Sequence, residues 1–304
     1  MDFLIGLMQT IGVHTLLGLS AYVVLQTGQV TLAQAAFFAV GAYVASFMTT
    51  LFGVNIAAAI VAGGLVAGFI AALVGFPALR FKGLMLVVAT TAFGEFVRLF
   101  FINFKYQVDR AGEKIGPFGA EGFRQIRYFL ENGWLTWQVT LFIWAFVALA
   151  LLALWWMDRS RAGAVLRAVG EDETAAQSVG VNLTAVKVSA FAAGGVIAGI
   201  GGGLFAHYTT HIEHSQFNIL LATFAIAYPI LGGLSSVWGT VMAVVFIQGI
   251  IIQFLPRVIG DDLRNILFGP LIVLVMILKP AGMFDARSSA LLRRLFGGRD
   301  GARA

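Results

Sequence analysis

Four groups of residues in this chain have types and spacings that could do chemistry. The first is Glu173-Thr174-Ala175-Ala176 followed by Gly180. An acid, two small residues and a terminal glycine suit a short helix that another protein approaches closely. The second is Glu95 with Arg98, which at this spacing share a helix face and can pair or hold a polar solute. The third is HYTTHIEH at 207–214. There His207 and His211, four apart on a helix, could offer two imidazoles to zinc, with His214 close by. The fourth is scattered: Gln26, Thr27, Gln29, Gln34, Thr90 and Thr91 lie in or beside apolar runs. They could line a passage for a zwitterion, as broken helix ends do in transporters.

Each group also has a plainer reading. The first would be a solvated loop helix. The second would be an ion pair tying helices together, which is the favoured use of paired charges in a membrane. The third would be an interfacial contact with headgroups or a partner. The fourth would be interhelical hydrogen bonds, worth ~0.6 kcal/mol each on average. The chain has no cysteine. That excludes a disulfide, a thiol nucleophile and a cysteine-ligated metal. Without cysteine or an acid cluster to help them, the histidines are not expected to hold a metal, and no catalytic set at membrane depth suggests an enzyme.

The elements that carry these residues are set by composition. The 304 residues are 59% hydrophobic and only 12% charged, far from the roughly 25% charged of soluble domains. A bilayer core about 30 Å thick needs ~20 apolar residues per helical span. Runs such as Val54–Val74, Val139–Met157 and Val241–Leu255 are of that kind. They are too continuous for barrel strands, which alternate, so the spans are helical. The expected fold is all-α, a polytopic bundle of about nine membrane segments. They fall at 3–25, 30–51, 54–78, 84–104, 135–157, 183–206, 218–233, 239–256 and 262–279. Polar, glycine-rich breaks at Gln26–Gln29 and Gly232–Ser236 mark possible re-entrant or discontinuous helices. Gly64 with Gly68, and Gly195, Gly199 and Gly203, recur every four residues and are expected at close helix crossings, within the chain or against another.

Lysine and arginine orient the chain. Arg80, Lys82, Arg159, Arg161, Arg167 and Lys187, with Arg287, Arg293, Arg294, Arg299 and Arg303 in the tail, fall on one face, which is then cytoplasmic. The long loop 105–134 lies outside, as does the N-terminus, and the C-terminus is inside. The start, MDFLIG, has no basic region of a cleavable leader, so the first span is expected to stay. The whole chain, 1–304, reads as one membrane domain. It has an extracytoplasmic loop (105–134), a polar cytoplasmic segment (158–182) and a basic cytoplasmic tail (281–304).

Within the polar segment, Gly170 is expected to break the chain. Glu171, Asp172 and Glu173 would then open a short surface helix, where acids favour the positive end of the dipole. Gly180 would end it in the left-handed conformation. Asn182 or Thr184 would cap the next span.

Glu173-Thr174-Ala175-Ala176…Gly180 resembles the EAA…G signature of ABC importer permeases. The stretch SRAGAVLRAVGEDETAAQSVGVNLTAVKVSAFAAGGVIAGIGGGLFAHY at 160–208 resembles the LivM-type permeases of branched-chain amino acid ABC transporters. So do TLAQAAFFAVGAYVAS at 31–46, FPALRFKGLMLVVATTAFGEFVRL at 76–99, LGGLSSVWGTVMA at 231–243 and LFGPLIVLVMILKPAGMF at 267–284. The 105–134 loop departs from the family's Asn- and Gly-rich pattern. The resemblance implies a bacterial inner-membrane importer. This chain would pair with a second, LivH-like permease, two P-loop ATPases and an extracytoplasmic substrate-binding protein. It would bind no cofactor itself, ATP and Mg residing in the ATPases. The sequence holds no G-x-x-x-x-G-K-[ST]. The resemblance makes 158–182 the ATPase-coupling segment. Arg161, Arg167, Glu171 and Glu173 would set docking polarity, Ala175 and Ala176 would give close approach, and Gly180 would turn the chain back. Ala176→Glu is then expected to fold and lose transport. The substrate would be a branched-chain or other hydrophobic amino acid; urea, amides or aromatic acids are the alternative within the family. The rival from another class is a stand-alone secondary transporter or channel, which would rely on Glu95.

Overall fold

The computed structural model describes residues 2–254, except 111, 112 and 235. The segment expected at 262–279 and the basic tail lie outside the described residues. Long apolar helices dominate: α1 (Asp2–Leu25), α2 (Gln34–Thr50), α3 (Ile56–Ala78), α4 (Leu84–Asn103), α6 (Thr136–Arg159) and α9 (Leu183–Thr209). The short α10 (Ile219–Gly232) and α11 (Val237–Val244) follow, and α11 runs on in π-helical turns to Phe254. Six helices among the described residues are long and apolar enough to cross a membrane, α10 counting from His214. The reading of an all-α polytopic bundle holds in class, with about nine segments not established.

Side-chain contacts give the helix directions. Gln9 donates to Thr140 Oγ1 at 3.1 Å, and Tyr22 donates to Asp158 at 2.7 Å, so α1 and α6 run parallel. Thr49 meets His207 Nε2 at 2.9 Å, while a Cβ on Gly194 would lie 3.6 Å from Gln34 Nε2, so α2 and α9 are also parallel. α3 runs against them. The ends of α1, α3 and α6 and the start of α9 therefore share one face. The ends of α2, α4 and α9 and the start of α6 share the other.

α2 is central, with thirteen of its 17 residues buried. Its hydroxyls bond back to their own helix, Ser46 to Ala42 O, Thr49 to Ala45 O and Thr50 to Ser46 O. A bilayer supplies no water for such groups, so the helix satisfies them itself. Tyr43 stacks on Phe101 of α4 with centroids 3.8 Å apart. α4 and α6 are the least enclosed spans and present Val88, Phe96, Phe100, Leu141, Leu149 and Trp156 outward. On a soluble protein such patches would mark binding sites. On helices long and apolar enough to cross a membrane, such a surface is compatible with lipid.

The helix begun at 30 in the sequence reading starts only at Gln34, because residues 26–33 form a connector with Gly28 at φ +72. The loop 105–134 is more ordered than its turn signals suggested. It forms a three-stranded antiparallel sheet, β1 (Val108–Arg110), β2 (Glu113–Pro117) and β3 (Phe123–Arg124), followed by α5 (Tyr128–Glu131). Phe123 bonds Ile212 through both backbone groups, which closes this cap over the end of α9. Alternation of side chains over such short strands is too brief to read from sequence.

Candidate functional site

The polar stretch 158–182 builds two helices, α7 (Arg161–Glu171) and α8 (Glu173–Ser178). The break is not at Gly170. The helix runs through it, because glycine there serves close packing: a Cβ would collide with the carbonyl of Gln26. Asp172 is the break and the cap, accepting from Thr174 N at 2.8 Å and Ala175 N at 3.0 Å. Glu171 thus closes α7 and does not open α8. Gly180 sits at φ +87, the left-handed conformation expected of it. Asn182 caps α9 by accepting from Ala185 N at 3.1 Å.

The predicted coupling residues divide by exposure. Arg161, Arg167, Glu171, Ala175 and Gly180 are exposed, and Val179 is 80% exposed at the tip. Ala176 is only 4% exposed and lies inside the chain. A glutamate there would bury a carboxylate, so the expectation that Ala176→Glu folds normally does not stand. Arg167 donates to the Asp158 carbonyl at 3.1 Å.

Glu173 turns inward. Its carboxylate pairs with Lys187 of α9 at 2.7 Å and with Lys82 of the α3–α4 connection at 2.8 Å. Gln29 donates to it at 3.3 Å. Burial raises the Glu173 carboxyl, but the bonds from Lys187 and Lys82 outweigh it and hold it below the ordinary carboxylate range. The Lys187 side chain is 5% exposed, and lysine is almost never so buried unless paired. Beside this cluster, Asp158 accepts from Tyr22 at 2.7 Å and from Gln26 at 3.2 Å. Lys82, Lys187, Asp158 and Tyr22 were not singled out as members of one site. In the sequence Lys82 and Lys187 serve only as orienting charge, and the one signal that relates them is their place near span ends.

The proposed passage residues do not converge. Gln26 and Gln29 face the polar segment, as above, and Thr27 bonds back to Val24 O. Thr90 accepts from Leu32 N at 3.1 Å, tying α4 to the connector. Gln34 is fully buried among α1, α2 and α9. Only Thr91 and Glu95 border a common groove, about 200 Å³, with Leu32, Ala35, Phe217 and Asn218. Glu95 there is paired with Arg98 at 2.6 and 2.9 Å.

The repeated glycines lie at helix crossings inside this chain. A Cβ on Gly199 would stand 2.6 Å from Ala67 Cβ and 2.9 Å from Gly64 Cα. Gly68 and Gly195 meet 3.2 Å apart in the same sense, and Gly203 abuts Ala45 and Ile60. α3 and α9 therefore touch nearly backbone to backbone.

The histidines are separated. α9 ends at Thr209, and Thr210 is left-handed at φ +60, so His211 leaves the helix face of His207. His207 is 1% exposed and spans Gly203 O at 2.7 Å and Thr49 at 2.9 Å. His211 pairs with Glu213 at 2.8 Å, and that bond holds the Glu213 carboxyl below its ordinary range. Among the described residues no group of three potential ligands could hold a metal. A network absent from the sequence reading joins α1, α10 and the π turns: His14 Nδ1 to Tyr228 Oη at 2.9 Å and Gln248 to Tyr228 Oη at 2.8 Å.

A multi-pass helical bundle, with its polar helices clamped to the span ends of one face, is the build of a membrane transport subunit. The chain belongs to the family described as branched-chain amino acid transport system / permease component, whose profile matches residues 3–276. It is 29% identical over 294 residues to the high-affinity branched-chain amino acid transport system permease protein LivM of Salmonella typhimurium. It is 28% identical over 294 residues to the protein of the same name from Escherichia coli. Each alignment covers 90% of this chain and 66% of the relative, so the chain spans just under two thirds of their length. No solved structure matches it.

Proposed function

We propose that this chain is the permease subunit of an ATP-binding cassette importer in the bacterial inner membrane. It moves branched-chain or other hydrophobic amino acids by alternating access, as the names of its relatives suggest. It is not itself a catalyst: ATP and Mg bind a separate pair of ATPases, and a second permease and an external binding protein complete the assembly. The N-terminus is outside and the face bearing α7 and α8 is cytoplasmic.

One observation carries this reading. The chain places two polar helices on one face and ties α7 to the end of α6 by the bond from Arg167 to the Asp158 carbonyl. It anchors α8 by the Glu173 ion pairs to Lys187 of α9 and Lys82 of the α3–α4 turn, and leaves a tip of Ala175, Gln177, Ser178 and Val179 open. An anchored projection with an open tip can receive a push from outside the membrane and deliver it to the spans. A ligand such as ATP shifts the equilibrium only as far as it favours one state over the other.

The test is affinity purification of the tagged chain from mild detergent, wild type beside Val179→Asp. Wild type should retain a P-loop ATPase and a second permease. The variant should retain the permease and lose the ATPase at least tenfold. A wild type that purifies alone and takes up leucine in vesicles without ATP would establish the secondary-transporter reading instead.

A further inference from the structure

The connector between α1 and α2 makes three contacts in register with the polar segment. Gln26 donates to Asp158 at the end of α6. Gly28 lies against Gly170 of α7, where a Cβ on Gly28 would be 3.2 Å from the Gly170 carbonyl. Gln29 donates to Glu173 of α8. The same Glu173 holds Lys187 at the base of α9 and Lys82 at the turn into α4. The connector leads directly into α2, the buried centre of the bundle. Leu32, two residues before α2, bonds Thr90 of α4.

Glu173 therefore touches two separate connections of the bundle, the one holding Gln29 and the one holding Lys82, and the base of α9 at Lys187. Two of its partners are cations on different elements, and one of those, Lys187, is buried with Glu173 as its partner. A contact of this kind is stiff, because letting go would leave an ammonium buried and unpaired. The glycine pair beside it allows backbone-to-backbone seating, which no larger residue would permit. Small shifts at such a seat are passed on, since packed interiors deform little.

We infer that Glu173 is an internal positioning residue: with the Gln26–Gln29 connector it forms the joint that converts movement of α7 and α8 into movement of α2. This rests on the importer reading above, and it assigns Glu173 a partner within this chain and not on the ATPase. Gln26 and Gln29 belong to that joint and not to a substrate passage.

The test exploits the absence of cysteine from the sequence. A single Val30→Cys, on the connector and 43% exposed, reports its environment by maleimide labelling in inverted membrane vesicles. Otherwise wild-type complex should change its labelling rate at least threefold when trapped with ATP and vanadate. Glu173→Gln should keep its ATPase bound and lose the change. The reversed set Lys82→Glu, Glu173→Lys and Lys187→Glu should restore it. Should Glu173→Gln not accumulate, Glu173→Gln with Lys187→Met removes both charges and carries the same expectation. A full response in Glu173→Gln, or in Glu173→Gln with Lys187→Met, would overturn the inference while leaving the importer intact. So would loss of the ATPase from a folded Glu173→Gln complex, which would make Glu173 a docking residue. If the otherwise wild-type protein binds no ATPase and shows no ATP effect, the importer reading fails and the inference falls with it.

Discussion

Glu173 shows how far a residue's type outruns its position. An acid at the start of a short helix is legible as dipole-compatible and as part of a signature. Its direction is not, because Lys82 and Lys187 lie 91 and 14 residues away in the chain. Its lowered acidity range has a testable sign. The folded state favours the ionised carboxylate, so the pair's stabilisation is present above the ordinary value of 4.5. It is lost as pH falls through the depressed folded value. Glu173→Gln should lower stability at pH 7 by about 1.5–3 kcal/mol, the range for hydrogen bonds to charged groups. In detergent, the melting-temperature gap to wild type should hold down to about pH 5 and close below the depressed value. A gap that widens with acid would contradict the assignment. Gly199 gives a second case. Gly199→Val should overpack the α3–α9 crossing and cost about 1–3 kcal/mol or more, read as a lower melting temperature. Unchanged stability in the Gly199→Val protein would mean that the helices do not meet there.

At the scale of elements, the spans were legible because the bilayer imposes one length and one chemistry on each. Their ends were less so. Gly170 carries a breaker's residue type but sits inside α7, since its neighbour Gln26 arrives from α1. The seams within 158–182 were set by Asp172, whose capping bonds end one helix and start the next. Two variants separate the buried and open sides of α8. Ala176→Glu puts a charge at a 4%-exposed position. It should reduce the folded protein recovered from membranes by about tenfold or more, a cost of several kcal/mol for an unpaired buried charge. Ala175→Glu, on the exposed side, should be recovered at wild-type levels. Equal recovery of the two would mean that α8 does not seat as described. Gly180→Val meets a different obstacle: φ +87 costs a β-branched residue about 1–3 kcal/mol.

At the scale of the molecule, parallel α1 and α6, parallel α2 and α9, and antiparallel α3 bring the charged contacts of the polar segment 158–182 to one face. The structure defines two faces, and the proposal assigns them to compartments. Single cysteines at Ala175 and at Gln107 in the cap test that assignment in intact cells. A membrane-impermeant maleimide should label Gln107→Cys and spare Ala175→Cys until the cells are opened. The opposite pattern would invert the topology and remove α8 from the reach of a cytoplasmic ATPase.

The sequence by itself determined the solvent, the class and the family resemblance. Long apolar runs admit only spanning helices, because unpaired backbone groups are not tolerated in lipid. Helical spacing also marked Gly64, Gly68, Gly195, Gly199 and Gly203 as places of close approach. It did not say which helices meet there, since a glycine stripe accepts any small-faced partner. Tertiary structure alone decided that α2 is central, that the passage amides Gln26 and Gln29 are engaged by the polar segment, and that Glu173 faces its own chain. Those are contacts between residues far apart in sequence, and their energy depends on burial and distance, which local pattern does not encode.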